Sequence, residues 1–237
     1  MTEELCASDA YVRSCEATVT GVSEEGVTLD RTVFHARGGG QPGDTGWIRW
    51  DGGEVRVTDT LKGPDGPLHL PEGDAPPPGT AVTAEIDWDR RYTLMRTHTA
   101  LHALSGIVWR HYDAKVTGGS MEPGMARMDF ELENISVEFG RDVEEKLNAS
   151  LIEDHAVEVR FEPRAEALAD PELIRTKVNL IPEQVDPIRV VAMGTLDVQA
   201  DGGTHVRSTA EVGRVRVVKT ESKGRGFKRM RIELAES

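Results

Sequence analysis

Two pairs of residues have the types and spacing to do chemistry. His98 and His102 stand four apart in "RTHTALH". On a helix, residues at that spacing project from one face about one turn from each other, which lets two imidazole nitrogens reach one cation. Position 99 is threonine, so the glutamate of the HExxH metallopeptidase motif is missing and that chemistry is excluded. Asp201 and His205, in "DVQADGGTHVRST", are also four apart, with Gly202 and Gly203 between them. The glycines predict a tight turn with positive φ values that folds both side chains toward one point. Three imidazoles and one carboxylate would satisfy a tetrahedral zinc ion. Each half also has a plainer reading. A histidine pair can sit on a helix surface or in a core, and an aspartate beside glycines can bond its own turn; spacing alone does not choose.

Such a centre needs a helix and a loop that meet. The period changes at Asp89, the expected N-cap of a long amphipathic helix in which Leu94, Leu101, Leu104, Val108 and Tyr112 recur at helical spacings. Strands are expected in "AKVTGGS" and "ARMDFEL", then a second helix over about 140–154, a strand "AVEVRFE", two short helical pieces and the apolar strand "IRVVAMG". The chain closes with "RVRVVKT" and "KRMRIEL" around a Lys-Gly-Arg-Gly turn. Helices with a mostly antiparallel sheet make residues 89–237 an α+β domain. Residues 1–88 read instead as a small β-barrel, so the fold class is α+β with an N-terminal barrel. "EATVTGVSEEGVTLDRTVF" is a hairpin, Gly38, Gly39, Gly40 and Gly43 form a glycine-rich motif, and short strands follow at 47–50 and 54–58. "GPDGPLHLPEGDAPPPGT" is expected to be a loop because proline is excluded from central strands, with "AVTAEIDW" as the last strand.

A net charge of −13 argues against a protein that coats nucleic acid nonspecifically. The charge is uneven. Residues 214–231 hold eight Lys and Arg against Glu221, a local +7 that leaves −20 elsewhere. This basic hairpin is either a solvated counterweight to an acidic surface or a localised polyanion contact through Arg225, Lys228 and Arg229. Cys6 and Cys15 lack CxxC spacing, so buried or half-buried thiols are expected rather than a disulfide or a thiolate metal cluster. The first residues have acids where a signal peptide needs basic and apolar segments, and no long apolar run follows; a soluble cytoplasmic protein is the expectation.

"RTHTALH", "DVQADGGTHVRSTAEVG" and "TVFHARGGGQPGDTG" together resemble three signature blocks of the AlaX family, freestanding relatives of the alanyl-tRNA synthetase editing domain. The order and spacing of the blocks and the basic "ESKGRGFKRMRIEL" close also match, over nearly the whole chain and nearest to the medium-length form. The resemblance implies hydrolysis of the ester joining a wrong amino acid, chiefly serine and sometimes glycine, to the alanine tRNA. It implies that His98, His102 and His205 hold one zinc per chain. Asp201 stands where most members have cysteine. A carboxylate is an acceptable zinc ligand but a harder one, which makes the site less selective against other divalent ions. Ligation through water, proton transfer by Asp201 and a crippled site are the alternatives.

By the same resemblance, Thr117 in "KVTGGS" lines the amino-acid pocket and Gln41 belongs to the barrel loop that approaches the editing site. Gly202, Gly203 and Thr204 are candidate backbone donors to substrate. The basic hairpin then meets the acceptor arm of the tRNA. Two rivals remain: another zinc-dependent esterase, and a catalytically silent tRNA-binding module.

Overall fold

A computed structural model describes residues 2–170, 173 and 181–235. The chain divides into two compact units at Thr93/Leu94.

The first unit contains strands β1 (Glu3–Glu4), β2 (Ser14–Ser23), β3 (Gly26–Leu29), β4 (Arg31–Thr32), β5 (Gly46–Trp50), β6 (Gly53–Gly63), β7 (Gly66–Pro71) and β8 (Ala81–Ile86), and the longer ones alternate inward and outward residues. Six of them close an antiparallel barrel in the order β2-β3-β7-β6-β5-β8, which leaves no unpaired edge among them. Val19, Val27, Leu29, Phe34, Ile48, Val57, Val82 and Ala84 fill it. The expected proline loop is partly wrong, because residues 66–71 form β7. Pro67 and Pro71 are tolerated since β3 pairs with β7 only at His69, so the missing amides fall outside that ladder.

His69 is fully buried, its Nδ1 3.0 Å from the Val27 carbonyl and its Nε2 2.8 Å from Thr32 Oγ1. Burial lowers its pKa to about 4. A neutral ring with Nδ1–H donating to the carbonyl and Nε2 accepting from the threonine satisfies both contacts.

The glycine-rich motif works through its backbone. Gly38 and Gln41 exchange two hydrogen bonds, 2.9 and 3.1 Å long, across Gly39 (φ 59°) and Gly40 (φ 86°). Positive φ at both central residues is the signature of a two-residue type I′ turn. Asp44 ends the motif in a buried ion pair with Arg91, whose Nε lies 3.0 Å from both carboxylate oxygens.

Helix α1 (Trp88–Tyr112) begins one residue before the expected cap, so Asp89 lies in its first turn. Over residues 97–108 it is buried on every side rather than amphipathic. Its small and polar residues, Thr97, His98, Thr99, Ala100, Ala103, Ser105 and Gly106, let neighbouring elements close around it. A Cβ at Gly106 would lie 2.4 Å from the Leu196 carbonyl.

The second unit continues with β9 (Val116–Glu122), β10 (Met125–Glu131), α2 (Val137–Ile152), β11 (Val157–Glu162), α3 (Arg164–Ala169), β12 (Ile188–Met193), β13 (Asp197–Ala200), β14 (Val215–Ser222) and β15 (Phe227–Leu234). The second of the two expected short helical pieces lies outside the described residues. Two antiparallel sheets result, β14-β15-β10-β9 and β11-β12-β13. Ser136 caps α2 by accepting from the Phe139 amide at 3.1 Å. The helix docks on β14, where the Asn148 side chain exchanges hydrogen bonds of 2.8 and 2.9 Å with the Val215 backbone. Strand β12 is buried throughout, as its apolar run requires.

Candidate metal centre

The buried middle of α1 presents His98 and His102 one turn apart. Strand β13, held in its sheet by β12, ends at Ala200 and delivers the loop 201–205. Beyond the loop, Ser208 and Glu211 form a capping box, and the Thr209 hydroxyl donates to the Leu151 carbonyl at 3.1 Å. The loop is therefore pinned at both ends.

His98, His102, Asp201 and His205 converge, one ligand atom from each lying within 4.8 Å of all the others. Asp201 Oδ1 is 3.7 Å from His98 Nε2 and 3.9 Å from His102 Nε2, while Oδ2 is 3.0 Å from His205 Nε2. The rings of His98 and His205 stack at 4.4 Å, and His102 sits edge-on to both. All three histidines are buried.

The ion-pair and turn roles of Asp201 coexist. Its Oδ2 also accepts from the Gly203 amide at 2.7 Å, an Asx-type turn. Neither Gly202 nor Gly203 adopts a positive φ, so the expected left-handed turn is replaced by this side-chain bond. It also commits the Gly203 amide, removing it from the expected substrate donors. Asp201 Oδ1 remains directed at the histidines.

Burial alone would lower the pKa of His102, but hydrogen bonds to Asp197 and Asp201 reverse the effect and raise it to about 9. Burial holds His205 at about 4. Asp201 lies well below the usual carboxylate range despite burial, because His98 and the bonds to His102 and His205 favour its anion. Three nitrogens and an anionic oxygen in a buried cluster fit a divalent cation, and the donor set excludes thiolate.

Partners outside the four clustered residues were not legible in the sequence. His102 Nδ1 is 3.0 Å from Asp197 Oδ2, and His205 Nδ1 is 3.1 Å from Thr99 Oγ1. Arg189 Nη1 donates to the Asp201 carbonyl at 2.9 Å. The spacing of His102 and His205 from these partners in the chain is arbitrary; the only signal was that polar residues sit inside a buried helix and next to a buried strand.

The remaining expected site residues lie elsewhere. Thr117 is the extra residue of a bulge in β9, where Asp129 pairs with Gly118 and Phe130 with Val116. Bulges re-aim side chains, and Thr117 is half-buried. Gln41 belongs to the first unit, where it is 1% exposed. Thr204 is buried and Gly202 exposed. In the basic hairpin, Arg225 is exposed at the turn, but Lys228 is not available to a polyanion. It occupies an inward position of β15, 5% exposed, with its ammonium donating to the Gly224 carbonyl at 2.9 Å. Arg229 is held by both oxygens of Asp129 at 2.6 and 2.8 Å.

Residues 188–231 match the model of the threonyl and alanyl tRNA synthetase second additional domain, and residues 8–90 that of the class II (A) tRNA synthetases. The chain is 36% identical to the alanyl-tRNA editing protein AlaX-M of Saccharolobus solfataricus over 97% of this chain and 98% of that one. It is 33% identical to the AlaX-M of Methanosarcina mazei over 100% and 98%. It is also 36% identical to the alanine–tRNA ligase of Pyrobaculum neutrophilum, over 93% of this chain and 25% of the ligase.

Proposed function

Because the chain belongs to the AlaX-M family of alanyl-tRNA editing proteins, we propose that it is a cytoplasmic trans-editing deacylase that removes serine, and glycine, from mischarged tRNA(Ala). Residues 1–88 form its barrel domain and 89–237 its editing domain. The observation that carries this reading is the buried convergence of His98, His102, Asp201 and His205.

These four residues would hold one zinc ion. A bound zinc supplies Lewis acidity or an anchor for the 3′-terminal ribose and its amino acid. An aminoacyl ester is already activated, so the protein's work is positioning. Water adds to the ester carbonyl, the bond to the ribose oxygen breaks, that oxygen takes one of the water's protons, and the amino acid leaves as its carboxylate with the second proton released to solvent. Gly202 and Thr204 face the substrate with backbone donors.

The Thr117 hydroxyl discriminates serine from alanine. It hydrogen-bonds the substrate serine hydroxyl; alanine would leave it unpaired, at a cost of about 1–3 kcal/mol, and because glycine would do the same, removal of glycine does not depend on Thr117. The exposed basic residues of the hairpin receive the acceptor arm through its phosphates, which position but do not specify.

The test is deacylation of seryl-, glycyl- and alanyl-tRNA(Ala) beside a free seryl ester. Removal of serine and glycine with alanine spared supports editing. Hydrolysis of the free ester regardless of tRNA would favour a general esterase, and tight tRNA binding without hydrolysis a silent binding module.

A further inference from the structure

The three imidazoles of the centre turn their Nε2 atoms toward Asp201, so each must carry its proton on Nδ1 if Nε2 is to bind a cation. What fixes that proton differs between them. His205 Nδ1 meets a neutral group, the Thr99 hydroxyl, at 3.1 Å. His102 Nδ1 meets a carboxylate, Asp197 Oδ2, at 3.0 Å. Asp197 is 1% exposed and lies at the start of β13, four residues ahead of Asp201. Its Oδ2 also accepts from Gln199 Nε2 at 2.8 Å, and Gln199 Nε2 is 3.3 Å from Ser105 Oγ on α1. The carboxylate is thus fixed from its own strand and placed beneath the helix that carries His102.

Resting on the metal reading of the site, we propose that Asp197 is a positioning residue for the metal centre. It holds the His102 ring in the Nδ1–H tautomer with Nε2 aimed at the ion, and its charge strengthens that nitrogen as an electron-pair donor. Asp197 and Asp201 together bring two negative charges to a buried divalent cation, one through a ligand and one directly. Both carboxylates come from one short segment, and Arg189 of β12, its Nη1 3.8 Å from Asp201 Oδ2, adds one compensating positive charge. Partners of this kind typically change metal affinity by roughly 10–100-fold.

Zinc affinity of wild type, Asp197→Asn and Asp197→Ala is measured by competition with a chromogenic chelator, and the visible spectrum of each protein is recorded with cobalt(II) bound. Alanine should weaken zinc binding by roughly 10–100-fold and shift the cobalt bands. Asparagine, which still accepts the Nδ1 proton but lacks the charge, should fall between alanine and wild type; it also decides the matter if the alanine variant does not fold. Wild-type affinity and an unshifted cobalt spectrum in the asparagine variant would overturn the role of Asp197 alone. A wild-type protein that binds neither zinc nor cobalt would overturn the metal centre, and this role with it.

Discussion

At the scale of single residues, Asp201 serves two structures at once. One oxygen closes the loop on the Gly203 amide and the other faces His98 and His102. Asn at this position can keep the loop bond but is a poor ligand, so Asp201→Asn should retain its fold and lose zinc affinity by more than about 100-fold, read by chelator competition. Asp201→Cys should instead raise the preference for zinc over manganese, since a softer ligand disfavours the harder ion; equal preference in the two proteins would show that Asp201 does not ligate. The four clustered residues were legible because chemistry constrains both their types and their spacing. Asp197, Thr99 and Arg189 were not, because a polar residue acquires such a role only from the fold that brings it to a histidine or a loop carbonyl.

At the scale of elements, the sequence located most strands and both long helices within a few residues, but it misjudged how α1 is surrounded. Its leucines mark one apolar stripe, whereas the small residues between them allow burial on the other sides as well. Gly106 tests this packing. Glycine to alanine in a helix ordinarily stabilises by about 1 kcal/mol, yet the added Cβ here would lie 2.4 Å from the Leu196 carbonyl. Gly106→Ala should therefore lower stability by about 1–3 kcal/mol in urea unfolding, and a gain in stability would contradict the packing of α1 on the β12–β13 turn. Strand β7 was missed because prolines read as loop, although a strand paired weakly on one side tolerates them. Within that strand His69 predicts an acid response. The unfolded chain binds its proton near 6.5 and the folded chain only near 4. Its contribution is therefore intact above pH 6.5 and declines as pH falls toward 4, by up to about 3 kcal/mol. His69→Gln should flatten that part of the stability curve; an unchanged slope would mean that His69 is not held neutral.

At the scale of the whole molecule, a chain of net charge −13 carries its basic excess in one hairpin. The composition revealed that asymmetry but not which cations are free to act, because strand alternation turns Lys228 inward and Asp129 engages Arg229. Arg214, Arg216, Lys219, Lys223 and Arg225 are the exposed ones, Lys219 in an ion pair with Glu221 at 2.9 Å. Replacing Lys223 and Arg225 by glutamine should weaken tRNA binding and reduce the salt slope of log affinity by about 0.9 for each phosphate that is no longer neutralised. Lys228→Met should leave that slope unchanged. The reverse pattern would place the phosphate-binding surface on the buried face of the hairpin.

The most direct test of a metal-dependent editing centre is the rate of seryl-tRNA(Ala) deacylation by protein stripped with a chelator and then titrated with zinc. Hydrolysis should vanish on stripping and return to a plateau at one zinc per chain, with alanyl-tRNA(Ala) left intact throughout. Full activity in the stripped protein would contradict the role given to His98, His102, Asp201 and His205.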